Sequence, residues 1–129
     1  MREPAWVLDE VVESVHSMLL AEHGGGSGIR DKNLLDSALS RAKQKFSYDS
    51  DVSIFDLAAA YSFGIAKNHP FIDGNKRTAF TIGTLFLEIN GFKLNATEVD
   101  ATITFENLAS DILNENDLSS WFKMYCIKV

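Results

Sequence analysis

The sequence predicts an all-α protein, a compact bundle of about six helices, and three observations carry that expectation. Apolar residues recur at three- and four-residue spacing through nearly the whole chain, residues that cap helices stand ahead of most of those runs, and no stretch alternates as a half-buried strand does. At most a small hairpin is expected.

Taken in order, Leu8, Val11, Val12, Val15, Met18 and Leu19 mark a first helix, ended by Gly24-Gly25-Gly26, which reads as a flexible connection. His16 and His23, on or just past this helix, have no second ligand in view. Asp31 caps a second helix carrying Leu34, Leu35, Ala38, Leu39 and Ala42, with Arg41, Lys43 and Lys45 as a solvated face. From Phe46 to Val52 the pattern breaks, predicting a loop or short hairpin. Ser53 and Asp56 form the capping box of a third helix through Leu57, Ala60, Tyr61, Gly64 and Ile65. Pro70 disfavours helical geometry at His69, so that helix stops there. A fourth helix runs from about Asn75 to Asn90, with Gly91 as its C-terminal cap. Thr97 caps a fifth, and Asn116 or Asp117 starts a last one bearing Leu118, Trp121, Phe122 and Tyr125.

Composition narrows the function classes. A chain of 129 residues reads as one domain, residues 1–129, able to bury about two-thirds of its unfolded surface. With 46% apolar residues and nine Phe it is not disordered, and a net charge of −6 argues against a nucleic-acid binder. The single cysteine, Cys126, excludes an internal disulfide and fits a reducing compartment. No apolar run is long enough for a membrane span and Met1-Arg2-Glu3-Pro4 has no signal-peptide character, so a cytoplasmic protein is expected.

The segment His69-Pro70-Phe71-Ile72-Asp73-Gly74-Asn75-Lys76-Arg77-Thr78 concentrates the chemistry at a junction between a loop and a helix N-terminus, where free backbone N–H groups favour anions. His69 is a general base suited to neutral pH. Asp73 is a hard oxygen ligand for Mg²⁺, which is commonly held by one carboxylate plus substrate phosphates. Gly74 permits a tight turn, and the N–H groups of Gly74, Asn75 and Lys76 form a nest for phosphate oxygens. Lys76 adds a point charge, and Arg77 a planar fork. Phe71 and Ile72 anchor the loop by burial. Any one of these residues is commonplace in a loop; their conjunction points to phosphoryl or nucleotidyl transfer.

His69 to Arg77 resembles the signature of the Fic/Doc superfamily, His-x-Phe-x-Asp/Glu-Gly/Ala-Asn-Gly/Lys-Arg. The leading helix, the Gly-rich turn and Gly28-Ile29-Arg30-Asp31 with Leu34, Leu35, Ser37, Ala38 and Leu39 are similar to the N-terminal half of death-on-curing (Doc) toxins. The resemblance implies an all-α bundle around a central helical hairpin whose loop carries the motif. Within the superfamily, Fic adenylyltransferases usually carry Gly where this chain has Lys76 and a second Arg where it has Phe80. Both departures disfavour AMP transfer and look like Doc. The resemblance then implies a kinase using ATP and Mg²⁺, transferring the γ-phosphate to a Thr or Ser hydroxyl of an elongation factor Tu-like target, with His69 as base, Asp73 on the metal, and Gly74, Asn75, Lys76 and Arg77 on the phosphates. Protein adenylyl transfer is the alternative, and a catalytically inert nucleotide- or partner-binding module is another.

The resemblance makes two further points. The stretch Phe46 to Ser53 corresponds to the family's target-docking flap, which makes Tyr48 and Ser50 candidate docking residues. Inhibition is expected from a Phd-like antitoxin whose C-terminal segment folds into a groove, for which the apolar excess of the first helix and Trp6 are candidates. Thr102-Ile103-Thr104-Phe105-Glu106-Asn107 matches the intramolecular inhibitory pattern of Fic proteins, but Glu106 is expected to face solvent.

Overall fold

Capping side chains set most of the helix boundaries. In the computed structural model, which describes residues 1–129, α1 (Asp9–His23) starts without a side-chain cap, and α2 (Lys32–Tyr48) starts where the Asp31 carboxylate accepts from Leu34 N–H at 3.1 Å. The expected box opens α3 (Ile54–Asn68): Ser53 Oγ accepts from Asp56 N–H at 3.1 Å while Asp56 Oδ2 accepts from Ser53 N–H at 2.9 Å. After α4 (Asn75–Ile89), β1 (Phe92–Leu94) leads to α5 (Glu98–Ala109), capped by Thr97, then α6 (Glu115–Tyr125) and β2 (Cys126–Lys128). A second capping box, between Asn114 and Asp117, starts α6 ahead of the expected Asn116 or Asp117.

The fold is all-α, as the sequence predicts, with six helices and one two-stranded sheet. Of the loop or short hairpin expected from Phe46 to Val52, the loop is what forms, and the sheet lies elsewhere. The stretch Phe46 to Val52 holds no strand: α2 continues through Tyr48, then Asp49 folds the chain back, its carboxylate accepting from Asp51 N–H and its carbonyl from Val52 N–H. This local turn uses the backbone donors that a hairpin would need for its ladder. The strands that do form, β1 and β2, pair antiparallel with Leu94 opposite Cys126, closing the C-terminus onto the end of α4.

Helix α3 is the axis of the molecule. Leu57, Ala58, Ala59, Ala60, Tyr61, Ile65 and Ala66 are all buried, enclosed by α2, α4 and α6. The small residues let α4 approach closely, and Ser62 Oγ donates to Ala79 carbonyl at 2.7 Å across the pair. Large side chains fill the rest of the core (Phe86, Phe122, Ile82, Leu87, Leu108 and Leu118), each worth about 1.5–3 kcal/mol on full burial. The Tyr61 phenol, pushed up to about 12 by burial, accepts from Val7 N–H and fastens the N-terminal segment. Trp6 packs against Phe86 and Phe46 at the edge of the core and stays partly exposed.

Polar contacts tie α6 back to the bundle. Arg41 and Lys45, expected to be merely solvated, both bond Glu115, whose side chain is only 12% exposed. Ser119 Oγ donates to Asp56 Oδ1 at 2.6 Å. No helix is long and apolar enough to cross a membrane.

Candidate active site

The segment between α3 and α4 is held open by the chain that joins α1 to α2. Arg30 N–H and Asp31 N–H both donate to Pro70 carbonyl, at 2.7 and 3.1 Å, Ile72 N–H donates to Gly28 carbonyl at 3.1 Å, and Ile29 forms an antiparallel bridge with Phe71. Phe71 is 1% exposed and anchors the loop as the sequence suggested, whereas Ile72, also expected to be an anchor, is 57% exposed. Its side chain reaches the glycine connection at Gly26 and Gly28 but remains largely in solvent.

His69, the expected base, ends α3 in the left-handed region (φ 47, ψ 54), with Pro70 next in the chain. Asp73 is exposed, and its carboxylate is held by backbone: Oδ1 accepts from Gly74 N–H at 2.8 Å and Oδ2 from Gly26 N–H at 3.4 Å. Gly25, with φ +121, passes so near that a Cβ there would lie 2.6 Å from Asp73 Oδ2. The glycine run expected to be only a flexible connection is thus a close-approach surface for the metal-ligand candidate. Gly74, with φ 78, caps α4 with no side-chain cap, so the first N–H groups of that helix lack side-chain partners.

Asn75 is buried, and its amide closes a ring with Phe71, accepting from Phe71 N–H and donating to Phe71 carbonyl, both at 3.0 Å. The side chain is therefore committed to shaping the loop, and what Asn75 can offer a phosphate is its backbone N–H. Lys76 and Arg77 are exposed and form no ion pair in the structure.

His69, Asp73, Gly74, Asn75, Lys76 and Arg77 line one cavity of about 940 Å³. Its opposite wall is α5, with Thr97, Glu98, Ala101, Thr102, Phe105 and Glu106. Phe80 lies on the floor, edge-on to Phe105 with ring centroids 5.2 Å apart, so an apolar side chain occupies that end. Glu106 is exposed, as expected, yet it faces the same cavity. Tyr48 (78% exposed) and Ser50 lie at the end of α2 and in the following turn, outside the cavity lining.

Both histidines set aside in the sequence bear on the site: His23 lines the cavity, and His16 supports it from below. His16 is buried, its ring stacks on Phe71, and its Nε2–H donates to the backbone carbonyl of Asp73 at 2.8 Å. Its position on the inner face of α1, beside Val12, was the available signal.

As to the chemistry available, the Asp73 carboxylate, two free cations and the amino end of a helix face Glu98 and Glu106 across space large enough for a nucleotide, with an imidazole at its edge. No cluster of three or more metal-ligating side chains exists, so a divalent cation would be held by Asp73 together with oxygens of a ligand.

Known proteins resemble the part of the chain that carries the motif. Residues 6–87 match the sequence profile of the Fic/DOC family, a span that includes α1 to α3, most of α4 and the whole motif. The chain is 39% identical over 94 residues to Toxin Doc of Mycolicibacterium smegmatis, covering 71% of this chain and 67% of that protein. It is 29% identical over 85 residues to Protein kinase doc of Escherichia phage P1, covering 66% and 68% respectively. With the profile spanning more than half of its length and the motif set at the mouth of one cavity, this chain belongs to the Fic/DOC family.

Proposed function

We propose that the chain is a Doc-type toxin of a toxin–antitoxin module, a protein kinase that moves the γ-phosphate of ATP to a Thr or Ser hydroxyl of an elongation factor Tu-like translation factor. The observation that carries this reading is the shared cavity: His69 on one side, the unpaired Lys76 and Arg77 at the start of α4 on the other, and the apolar Phe80 between α4 and α5. A second cation at position 80 would favour the nucleotide pose for AMP transfer, and Phe80 supplies none. The name of the phage P1 relative, a protein kinase, supports the same direction.

In this reading Lys76, Arg77 and the N–H groups opening α4 hold the phosphate oxygens, where fixed charge in a walled site is worth more than in bulk water. His69 accepts the proton of the target hydroxyl as its oxygen bonds to the γ-phosphorus. The bond from that phosphorus to the bridging oxygen breaks, ADP leaves, and the imidazolium returns its proton to solvent. Asp73 would hold Mg²⁺ that arrives with ATP, and the ion would neutralise phosphate charge. Asp73 suits that role because its carboxylate is exposed, preset by two backbone N–H groups, and unpaired with any cation. A Phd-like antitoxin segment would cover apolar residues left open on α1 (Val11 and Met18) and at Leu8 just before it. Action on ATP and a translation factor assigns the protein to the cytoplasm.

Expression in a bacterial host tests the reading. Parent protein should arrest growth and His69→Ala should not; equal toxicity of the two would favour a binding module. Incubation with γ-labelled or α-labelled ATP and bacterial lysate should label a protein from the γ-position alone. Label from the α-position alone would replace the kinase reading with AMP transfer.

A further inference from the structure

The backbone carbonyls at the end of α3 pose a problem that this sequence solves with a side chain from elsewhere. A helix leaves its last carbonyls without intrahelical donors, and a left-handed residue at the end normally lets the next N–H groups fold back onto them. His69 takes the left-handed conformation, and its own N–H reaches Ile65 carbonyl at 3.2 Å. The next residue is Pro70, which has no N–H to give. The left-handed conformation is itself costly for a residue with a Cβ, so it persists only where the surroundings hold it.

Arg30 reaches the carbonyls at this end that the local chain leaves without a donor. Its Nε donates to His69 carbonyl at 2.7 Å and its Nη2 to Asn68 carbonyl at 2.9 Å, two adjacent donors of one planar fork on two successive carbonyls. The cation sits at the negative end of the α3 dipole, where positive charge is favoured. The flanking backbone reinforces the contact, since Arg30 N–H and Asp31 N–H bond Pro70 carbonyl and Asn68 Nδ2 bonds Leu34 carbonyl at 3.0 Å. Arg30 is outside the cavity lining, and its guanidinium is engaged with these carbonyls rather than turned to the phosphate-binding cations.

We propose that Arg30 is a positioning residue for His69: by clamping the Asn68 and His69 carbonyls it holds the histidine backbone left-handed and so aims the imidazole into the cavity. The catalytic part of this proposal rests on the reading of His69 as general base; the conformational part does not.

Arg30→Lys keeps the charge but has one donor nitrogen on a flexible stem in place of the planar Nε–Nη2 fork, so it cannot fix both carbonyls in the same geometry. In the labelled-ATP assay it should lower kcat by about 10- to 100-fold, as misplacement of a reacting group does, and leave KM for ATP within about twofold of the parent. NMR of the isotope-labelled protein should show His69 with positive φ in the parent and averaged over several conformations in the variant, with urea unfolding confirming that both are folded. Parent-like kcat in Arg30→Lys, or a rise in KM at unchanged kcat, would overturn the catalytic part. An unchanged His69 backbone would overturn the proposal outright. If the parent transfers no label, the kinase reading fails separately, and the His69 backbone alone decides whether Arg30 is its clamp. Should Arg30→Lys prove unfolded, Arg30→Gln, which keeps a single donor nitrogen and no charge, takes its place with the same outcomes.

Discussion

The ring of His16 lies parallel to that of Phe71, centroids 3.8 Å apart and planes 10° from each other, while its Nε2–H donates to the Asp73 carbonyl. A helix near the N-terminus thus supports both the buried anchor of the motif loop and the backbone of Asp73. Replacing His16 by Ala removes a buried ring and leaves the Asp73 carbonyl without this partner. The expected loss is about 2–4 kcal/mol in urea unfolding, together with weaker ATP binding. Parent-like stability would show that the loop does not depend on α1.

The amide of Asn75 should behave as structure as well as motif. Asn75→Asp replaces a donor by an acceptor facing the Phe71 carbonyl in a buried position, so a loss of about 2–3 kcal/mol is expected from denaturant unfolding. If stability is unchanged, the Asn75–Phe71 ring contributes nothing to the fold.

Two neighbouring glycines offer a paired test of the Asp73 carboxylate. A Cβ at Gly25 would meet Asp73 Oδ2, whereas one at Gly24 would meet nothing within 4 Å. Both have positive φ, so both Ala variants bear backbone strain, but only Gly25→Ala displaces the carboxylate. Calorimetry should find Mg²⁺-dependent ATP affinity reduced by about tenfold in Gly25→Ala and little changed in Gly24→Ala. Equal effects would detach the glycine run from the site.

Acid should loosen the α3–α6 junction. Partial burial pushes the Asp56 carboxyl up, but hydrogen bonds from Ser119 and Ser53, with Lys45 nearby, outweigh burial and hold it below the usual carboxylate range. A folded-state pKa below the unfolded one gives stability that is fully present above the unfolded value and lost as pH falls through the folded one. The Asp56 contribution should therefore be complete at neutral pH and fade below about pH 4. Urea unfolding of parent and Asp56→Asn should diverge at pH 7 and converge toward pH 3; a constant difference would contradict this assignment.

Local signals were the legible part of the sequence. Asp31, Ser53 with Asp56, and Thr97 cap the helices assigned to them, because a cap and its partner lie three residues apart. The motif was legible for the same reason, its residues falling within one loop and the first turn of α4. The missed features depend on distant partners. His16 meets a carbonyl 57 residues away, and Arg30 meets carbonyls 38 and 39 residues away. Strands β1 and β2 have three residues each, too few for an alternating pattern, and each is ordered by the other. Of the loop or short hairpin expected from Phe46 to Val52 the loop forms, shortened by the run of α2 to Tyr48, because polar residues there serve an Asp49-centred turn as readily as a strand.

The central claim, that His69 drives transfer of a phosphoryl group, is tested most directly by intact-mass spectrometry of the protein that is modified in bacterial lysate supplied with ATP and Mg²⁺. Parent protein should add the mass of one phosphoryl group to a Thr or Ser of a translation factor, and His69→Ala should add nothing. An added AMP, or the same phosphoryl increment from His69→Ala, would contradict the account.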